Sequence, residues 1–329
     1  MNISEMIQMY KGKIEKVKKE LEIQPNGWQN AQKDIDSILD EVFDWLSNFE
    51  KNNESNESKV YEMKHLFIQH CRDLIRLGKY NRHVIDKPYG YHGDFMIIDE
   101  IYKNSPNTTG IERCMDNYFL KASASVATRN RKEDFKQFLM DFSKENALKR
   151  KIRILDLASG PCTDIIEFYD QAKELGGNVL MDCLDHDINA IEHSKSKLKT
   201  KTFNKQICFL QKNVIKLALT KNIEGYFSEK YHLIFSTGLF DYLDEKISTR
   251  LVANLKKLLV PNGLLIISNY RDKWSNPARH FMEWGGDWEL VYRTEQEFLK
   301  IFESAGFISS SLNLKYEPLK IMQYCFARN

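Results

Sequence analysis

Acidic side chains stand at the ends of two short apolar runs of the chain. Residues 152–157 carry Asp156 and lead into Ala158-Ser159-Gly160-Pro161, and residues 179–184 lead into Asp185-His186-Asp187. A glycine in such a turn lets the backbone approach a ligand closely, and the N-terminus of a following helix favours a carboxylate or phosphate. An acid about 20 residues further on suits the hydroxyl groups of a ribose. Together, these features predict a site for a nucleoside-type cofactor.

The spacing of the glycines distinguishes two cofactors of this type. A dinucleotide site usually shows G-x-G-x-x-G, to make room for the pyrophosphate. This chain has Gly160, but Cys162 and Ile165 stand at the other two glycine positions, so the pattern disfavours a dinucleotide. The alternative to any ligand is that Asp156 and Asp187 only cap helices, and for Asp187 the sequence leaves both interpretations open.

The elements that must position these residues change character near residue 150. Before it, apolar residues recur at three- and four-residue steps, which is typical of helices packed through one face. After it, short apolar runs alternate with helical segments, which indicates a parallel sheet covered on both sides. We therefore predict a doubly wound α/β fold, with a helical domain at residues 1–145 and a Rossmann-like domain at residues 146–329. The predicted strands are residues 152–157, 179–184, 206–210, 231–235 and 263–268.

The acidic end of the first strand and the turn after it resemble the first motif of class I S-adenosylmethionine-dependent methyltransferases. The resemblance extends to the acids after the second strand, to Asn213-Val214 after the third, and to the Pro-Gly turn entering the fifth; Cys162 departs from the usual glycine. It implies S-adenosyl-L-methionine as the cofactor. Arg129 and Arg131 are candidates to pair with a carboxylate, either that of the cofactor's methionine or that of an acidic substrate. The predicted cofactor contacts are Arg129, Asp156, Ala158, Ser159, Gly160, Pro161, Asp185, His186, Asp187, Asn213, Val214, Ser236, Thr237 and Gly238.

A narrower resemblance spans both halves of the chain. It is carried by residues 87–94, 129–131, 236–243, 276–288 and 292–294. These segments are similar to a bacterial methyltransferase group that includes proteins named for making the methyl ester of 3-hydroxypalmitic acid. The resemblance implies transfer of a methyl group to an acyl carboxylate, with the N-terminal helices belonging to the same functional unit.

Other residues bear on the acceptor. Methyltransferases of nucleobase or glutamine amino groups usually carry Asp/Asn-Pro-Pro-aromatic after the fourth strand, whereas this chain has Ser236-Thr237-Gly238-Leu239-Phe240, so we predict a small-molecule acceptor. A carboxylate is ionised at neutral pH and needs no base, whereas an amine or hydroxyl needs a proton acceptor, for which His280 and Glu283 are the candidates. The predicted substrate contacts are Tyr89, Tyr91, Asp94, Phe240, Tyr270, Trp274, Trp284 and Trp288.

Composition restricts the remaining classes of protein. The 48 Lys and Arg residues nearly balance 46 Asp and Glu residues, which argues against nucleic acid as a partner, and no apolar run approaches the ~20 residues of a membrane span. The six cysteines are scattered without zinc spacing, so we expect no metal and a cytoplasmic location. Two alternatives stay open: an N-methyltransferase of a small amine or of a protein or RNA target, and a non-catalytic nucleoside-binding Rossmann protein. The oligomeric state is open as well, with a homodimer among the possibilities.

Overall fold

The computed structural model describes residues 2–148 and 150–329, and the chain divides into two compact units. The N-terminal unit comprises Met1–Val126 and Asn276–Glu289, and the sheet unit comprises Ala127–Ser275 and Leu290–Asn329. The predicted domains, 1–145 and 146–329, have their boundary where helical periodicity gives way to strands. In the structure, the first boundary between the two units lies within one long helix instead, and residues 276–289 belong to the N-terminal unit. No sequence pattern indicated that assignment.

Helices build the N-terminal unit. The apolar stripe predicted near the start of the chain is the buried face of the first helix, which a capping box between Asn2 and Glu5 begins. None of the described helices is both long and apolar enough to span a bilayer. The helices are α1 (Ile3–Ile23), α2 (Trp28–Asn52), α3 (Glu57–Ile75), α4 (Lys79–Asp86), α5 (Phe95–Lys103), α6 (Gly110–Lys121) and α7 (Ser123–Ala147), the last of which continues into the sheet unit.

One sheet organises the second unit, and among the described residues it has seven strands in the order β3-β2-β1-β4-β5-β7-β6. The five predicted strands are all present and pair in parallel, whereas β7 runs antiparallel to both of its neighbours. The strands are β1 (Ile152–Leu157), β2 (Val179–Asp185), β3 (Ile207–Gln211), β4 (Tyr231–Ser236), β5 (Leu259–Tyr270), β6 (Leu312–Tyr316) and β7 (Met322–Arg328). The prediction of a doubly wound α/β fold is confirmed.

The strand order reverses between β1 and β4, which lie side by side. Alternate residues of β1 enter different apolar clusters, as Ile154 and Leu155 show, because helices cover both faces of the sheet. Burial on both faces explains why these strands read as continuous apolar runs. In open α/β sheets, ligands bind outside the carboxyl ends of the strands at such a reversal. The turn after β1 therefore lies where a cofactor is expected.

Candidate functional site

The turn after β1 alternates left-handed backbone conformations. Ala158, Gly160 and Cys162 have φ values of 59°, 52° and 50°, and helix α8 (Thr163–Gln171) begins directly after them. Only glycine adopts this conformation without a steric cost from its own Cβ. Ala158 and Cys162 adopt the same conformation although each has a Cβ, which indicates that the surrounding structure fixes the shape of the turn.

Asp185, at the end of β2, holds this turn. Its Oδ2 accepts a hydrogen bond from the backbone N–H of Gly160 at 2.9 Å, and its Oδ1 accepts one from that of Asp187 at 3.0 Å. The N–H of Ser159 donates to the carbonyl of Leu184 at 3.0 Å. These bonds bring two of the predicted cofactor segments, residues 158–161 and 185–187, into direct contact.

The neighbours of Asp185 differ in role. Asp187 caps helix α9 (Ile188–Leu198), since its Oδ1 accepts from the N–H of Asn189 at 2.8 Å, so the capping interpretation of Asp187 is realised. His186 is exposed, and its hydrogen bond to Asp185 raises the pKa of its imidazole. A capping carboxylate still has lone pairs for other donors, so capping does not remove Asp187 from the candidate site.

Asp156 and Arg129 are charged residues of the sheet unit that bury a polar group without a partner among the described residues. Asp156 is 2% exposed, and in the part of the chain that the structure describes no group donates a hydrogen bond to it or pairs with its charge. Burial and then the nearby Asp164 hold the pKa of Asp156 well above its usual range. Among the same described residues, Nη1 of Arg129 is buried with no hydrogen-bond partner, and burial lowers the pKa of that guanidinium. Such orphaned groups are costly, which indicates that a ligand completes them.

Arg131, the other candidate of the arginine pair, is bonded within the protein. Its Nη1 lies 3.7 Å from Oδ2 of Asp241, which is fully buried. Oδ1 of Asp241 accepts hydrogen bonds from Nδ2 of Asn269 at 2.6 Å and from the N–H of Tyr270 at 2.8 Å. Burial raises the pKa of Asp241, although the charge of Arg131 opposes that shift. This network holds the segment that follows β4 in place.

The ends of β3 and β4 complete the predicted cofactor edge. Asn213 begins helix α10 (Val214–Leu219), with its Oδ1 accepting from the N–H groups of Ile215 at 2.9 Å and Lys216 at 3.1 Å, and Val214 is half-buried. Ser236 donates its hydroxyl to the carbonyl of Leu157 at 2.8 Å. The end of β4, followed by Thr237 and Gly238, is thereby tied to the turn after β1.

The three substrate contacts predicted in the sheet unit have different surroundings. Phe240 is completely buried in the apolar cluster of one sheet face, and Tyr270 is buried against the ring of Tyr292. Trp274 is partly exposed, with its backbone N–H bonded to Asp272 at 3.0 Å. Phe240 and Tyr270 thus pack in the core. The sequence did not distinguish a packed aromatic ring from one that faces a ligand.

Residues 87–94, which carry three of the predicted substrate contacts, form a loop between α4 and α5 of the N-terminal unit. Asp94 is buried and caps α5, its Oδ1 accepting from the N–H groups of Met96 at 2.9 Å and Ile97 at 3.0 Å. Its Oδ2 lies 2.7 Å from Nε2 of His83. Tyr89 is 36% exposed, and Tyr91 is partly exposed. Asp94 is therefore a structural residue of this loop that also orients a histidine.

The two predicted tryptophans of the N-terminal unit are buried. Trp284 is 1% exposed and packs beside Phe67, which gives it a place in the core. Trp288 stacks on the imidazole of His92, with ring centroids 6.2 Å apart and an interplanar angle of 11°. Burial and the charge of Lys87 lower the pKa of His92 to about 4, so its ring is neutral at neutral pH.

The predicted catalytic residues, His280 and Glu283, belong to a buried charge network. Oε2 of Glu50 lies 2.8 Å from Nε2 of His280 and 2.7 Å from Nη2 of Arg279, and Nη1 of Arg279 lies 2.9 Å from Oε2 of Glu283. Burial alone would raise the pKa of Glu50, but the hydrogen bonds from His280 and Arg279 outweigh it and lower that pKa to about 2. Burial lowers the pKa of His280. These contacts give both residues a structural role, and a catalytic role for either stays a prediction.

Comparison with known proteins identifies the type of domain. Residues 148–306 match the model of a family described as a methyltransferase domain. The fold is that of a Rossmann-like methyltransferase. A search of curated protein sequences finds no match to the chain.

Solved structures resemble the chain in fold. A possible exported protein from Bordetella parapertussis is 18% identical with a TM-score of 0.60, the match covering 81% of this chain and 95% of that one. Magnesium protoporphyrin IX methyltransferase from Synechocystis PCC 6803, solved with bound S-adenosylhomocysteine, is 11% identical with a TM-score of 0.50, covering 76% of this chain and 100% of that one. These identities support a shared architecture and carry no information on the acceptor.

Proposed function

We propose that the chain is an S-adenosyl-L-methionine-dependent methyltransferase of a small molecule. One observation carries the proposal: the sheet unit, which contains most of the residues that match the methyltransferase family, buries a carboxyl group, Asp156, and a guanidinium nitrogen of Arg129, each without a partner in the described residues. The methionine portion of the cofactor offers an ammonium group and a carboxylate, which are complementary to these two groups. S-adenosyl-L-methionine thus fits the residues that are present.

The chain's residues would hold the cofactor as follows. Asp156 accepts from its ammonium group, and Arg129 pairs with its carboxylate. The turn at residues 158–161, fixed by Asp185, presents backbone to it at the strand-order reversal. The cofactor supplies a methyl group on a sulfonium, which is already an excellent leaving group. The protein's contribution is then mainly to hold the reacting groups in line, which can supply about 7–11 kcal/mol of the barrier.

The acceptor that we propose is the carboxylate of an acyl chain, giving a methyl ester. A carboxylate is ionised at neutral pH and requires no proton acceptor, which agrees with the engagement of His280 and Glu283 in a structural network. The resemblance to the 3-hydroxypalmitic acid methyl ester group supports the same acceptor. We further propose that the N-terminal unit contributes to acceptor binding and that the protein acts in the cytoplasm.

A hydroxyl or amine acceptor is the second candidate, favoured by the pair of His83 and Asp94. A histidine that donates Nε2–H to a buried carboxylate is fixed in orientation and keeps Nδ1 as its basic nitrogen. That arrangement suits a general base, which only an acceptor bearing a proton would need. The two candidates therefore predict opposite effects of removing His83.

A turnover assay tests the proposal and chooses between the candidates. The protein is incubated with S-adenosyl-L-methionine and either fatty acids, with and without a 3-hydroxyl group, or primary amines of matched chain length. Released S-adenosylhomocysteine and methylated product are measured by mass spectrometry. We expect product from the fatty acids, with a rate unchanged in His83→Gln.

Other outcomes have defined meanings. Product from the amines alone, with a rate that falls at least about 100-fold in His83→Gln, would support the second candidate, since a general base contributes about 10²–10⁴-fold. Failure of the folded protein to bind either S-adenosyl-L-methionine or S-adenosylhomocysteine would refute both. The exposed Arg250→Gln on α11 (Glu245–Leu258) serves as the matched variant outside the site.

A further inference from the structure

Three metal-ligating side chains meet beneath the turn after β1. The carboxylate of Asp156, the thiol of Cys162 and the thiol of Cys183 lie with their ligating atoms within 4.8 Å of one another, and all three residues are buried. They come from β1, from the turn and from β2, so their spacing in the sequence does not identify them as a group. The prediction of no metal was based on such spacing and did not test this arrangement.

Of the three side chains in this cluster, the carboxyl group of Asp156 is the one that has no partner among the described residues. Asp156 has no hydrogen-bond or charge partner in the residues that the structure describes, while the two thiols are hydrogen bonded to each other. A buried carboxyl group without a partner is costly to ionise, and a bound cation is one way to offset that cost. Cys162, moreover, holds a left-handed position that glycine occupies in the resembling motif, and its thiol is completely buried.

We propose that Asp156, Cys162 and Cys183 form a binding site for one thiophilic divalent cation of the Zn²⁺ class. Two thiolates and one carboxylate are a ligand set that Zn²⁺ accepts, and three protein ligands leave a fourth position for water. Zn–S bonds of about 2.3 Å place two tetrahedral thiolates about 3.8 Å apart, so the present spacing needs only small side-chain movements. The thiols release their protons to solvent on binding.

The metal and the cofactor compete for Asp156, a coupling that depends on the proposed function. If Asp156 ligates the cation, its carboxylate is no longer available to the ammonium group of the cofactor. By thermodynamic linkage, each ligand must then weaken the other by the same factor. The site is thus inhibitory, and the cofactor in turn protects the cluster from metal.

The test measures Zn²⁺ binding to the full chain in the presence of a phosphine reductant, by competition with a chromogenic chelator. Co²⁺ serves as a spectroscopic probe, because thiolate ligation gives a near-ultraviolet charge-transfer band. The variants are Cys183→Ser, which keeps a small polar side chain, and Cys162→Gly, which suits the left-handed backbone. Cys208→Ser, which alters an exposed cysteine, is the matched control. Circular dichroism confirms that each variant is folded.

The expected result is one Zn²⁺ per chain in the wild-type protein and in Cys208→Ser, with affinity at least about 10-fold weaker in Cys183→Ser and Cys162→Gly, in line with the loss of one ligand. The Co²⁺ charge-transfer band disappears in the same two variants. Equal Zn²⁺ binding in all four proteins, or no Zn²⁺ binding to the wild type, would refute the proposed metal site.

The coupling is measured separately. Zn²⁺ at the lowest concentration that saturates the wild-type protein should weaken S-adenosylhomocysteine binding at least about 10-fold in the wild type and clearly less in Cys183→Ser. Wild-type protein that binds Zn²⁺ but fails to bind S-adenosylhomocysteine without metal would refute the proposed function and leave the metal site standing. Equal S-adenosylhomocysteine affinity with and without bound Zn²⁺ would overturn the competition for Asp156.

Discussion

Two sets of buried charged groups, one in each unit of the molecule, differ in whether they have partners. In the N-terminal unit, Glu50, Arg279, His280 and Glu283 lie in the interior and contact one another through ion pairs and hydrogen bonds. In the sheet unit, the carboxyl group of Asp156 and Nη1 of Arg129 are buried without a partner among the described residues. Breaking a pair of buried charges is costly because it leaves one of them without a partner, whereas a buried ionisable group that has no partner carries a cost that a ligand or a change of protonation offsets. The difference separates a structural network from a binding site.

The largest effect is expected from Glu50→Ala. The substitution leaves the buried Arg279 and His280 without their shared carboxylate, and we expect the free energy of unfolding to fall by about 3–5 kcal/mol. Urea unfolding followed by tryptophan fluorescence measures it. Glu41→Ala, which breaks an exposed pair with Lys13, should cost at most about 1 kcal/mol. Equal losses in the two variants would remove the distinction between the two regions.

The next largest effect is expected from Asp156→Asn, as a loss of affinity for S-adenosylhomocysteine. The carboxylate becomes a neutral amide of the same shape, so the affinity for S-adenosylhomocysteine should fall about 10–100-fold, corresponding to about 1.5–3 kcal/mol for a hydrogen bond to a charged group. Stability should stay the same or rise, because an unpaired buried acid is removed. Isothermal titration calorimetry and urea unfolding measure the two quantities. A destabilised Asp156→Asn protein with unchanged affinity would assign Asp156 to the fold instead. The exposed Asp141→Asn is the control.

Arg129→Gln should reduce the affinity for S-adenosylhomocysteine about 10-fold, because one charge-assisted contact to the ligand's carboxylate is lost. The same titration applied to decarboxylated S-adenosylhomocysteine should show no difference between the variant and the wild type. An equal loss for both ligands would mean that Arg129 acts through the fold and does not bind the carboxylate.

The last expected effect is a pH dependence of stability that arises in the paired network. The pKa of Glu50 is about 2 in the folded protein and 4.5 ordinarily, so its stabilisation is fully present above pH 4.5 and is lost as the pH falls toward 2. Wild-type stability should therefore decline more steeply than that of Glu50→Gln between about pH 5 and pH 3. Parallel declines would contradict the paired state of Glu50.

Much of the sheet could be predicted because strands that are buried on both faces have continuous apolar runs in their sequence. The strands β1 to β5 show such runs. The antiparallel pair at the C-terminus was not predicted, since β6 alternates half-buried and exposed residues and β7 carries Gln323 and Arg328 among its apolar positions. Among the site residues, the order of the motifs assigned Gly160 and Asp185 to one cofactor site, and the structure joins them by a hydrogen bond. The pairing of His280 with Glu50, 230 residues apart, and the meeting of Cys162 with Cys183 depend on tertiary packing, which no local pattern reports.

Calorimetric titration of S-adenosylhomocysteine into the folded, metal-free protein, with NADH as the competing nucleoside ligand, tests the cofactor assignment most directly. We predict one site per chain, heat that is strongly reduced in Asp156→Asn, and no displacement by NADH. Absence of heat from S-adenosylhomocysteine, or displacement of it by NADH, would contradict the assignment of the turn after β1 to an adenosyl sulfonium cofactor.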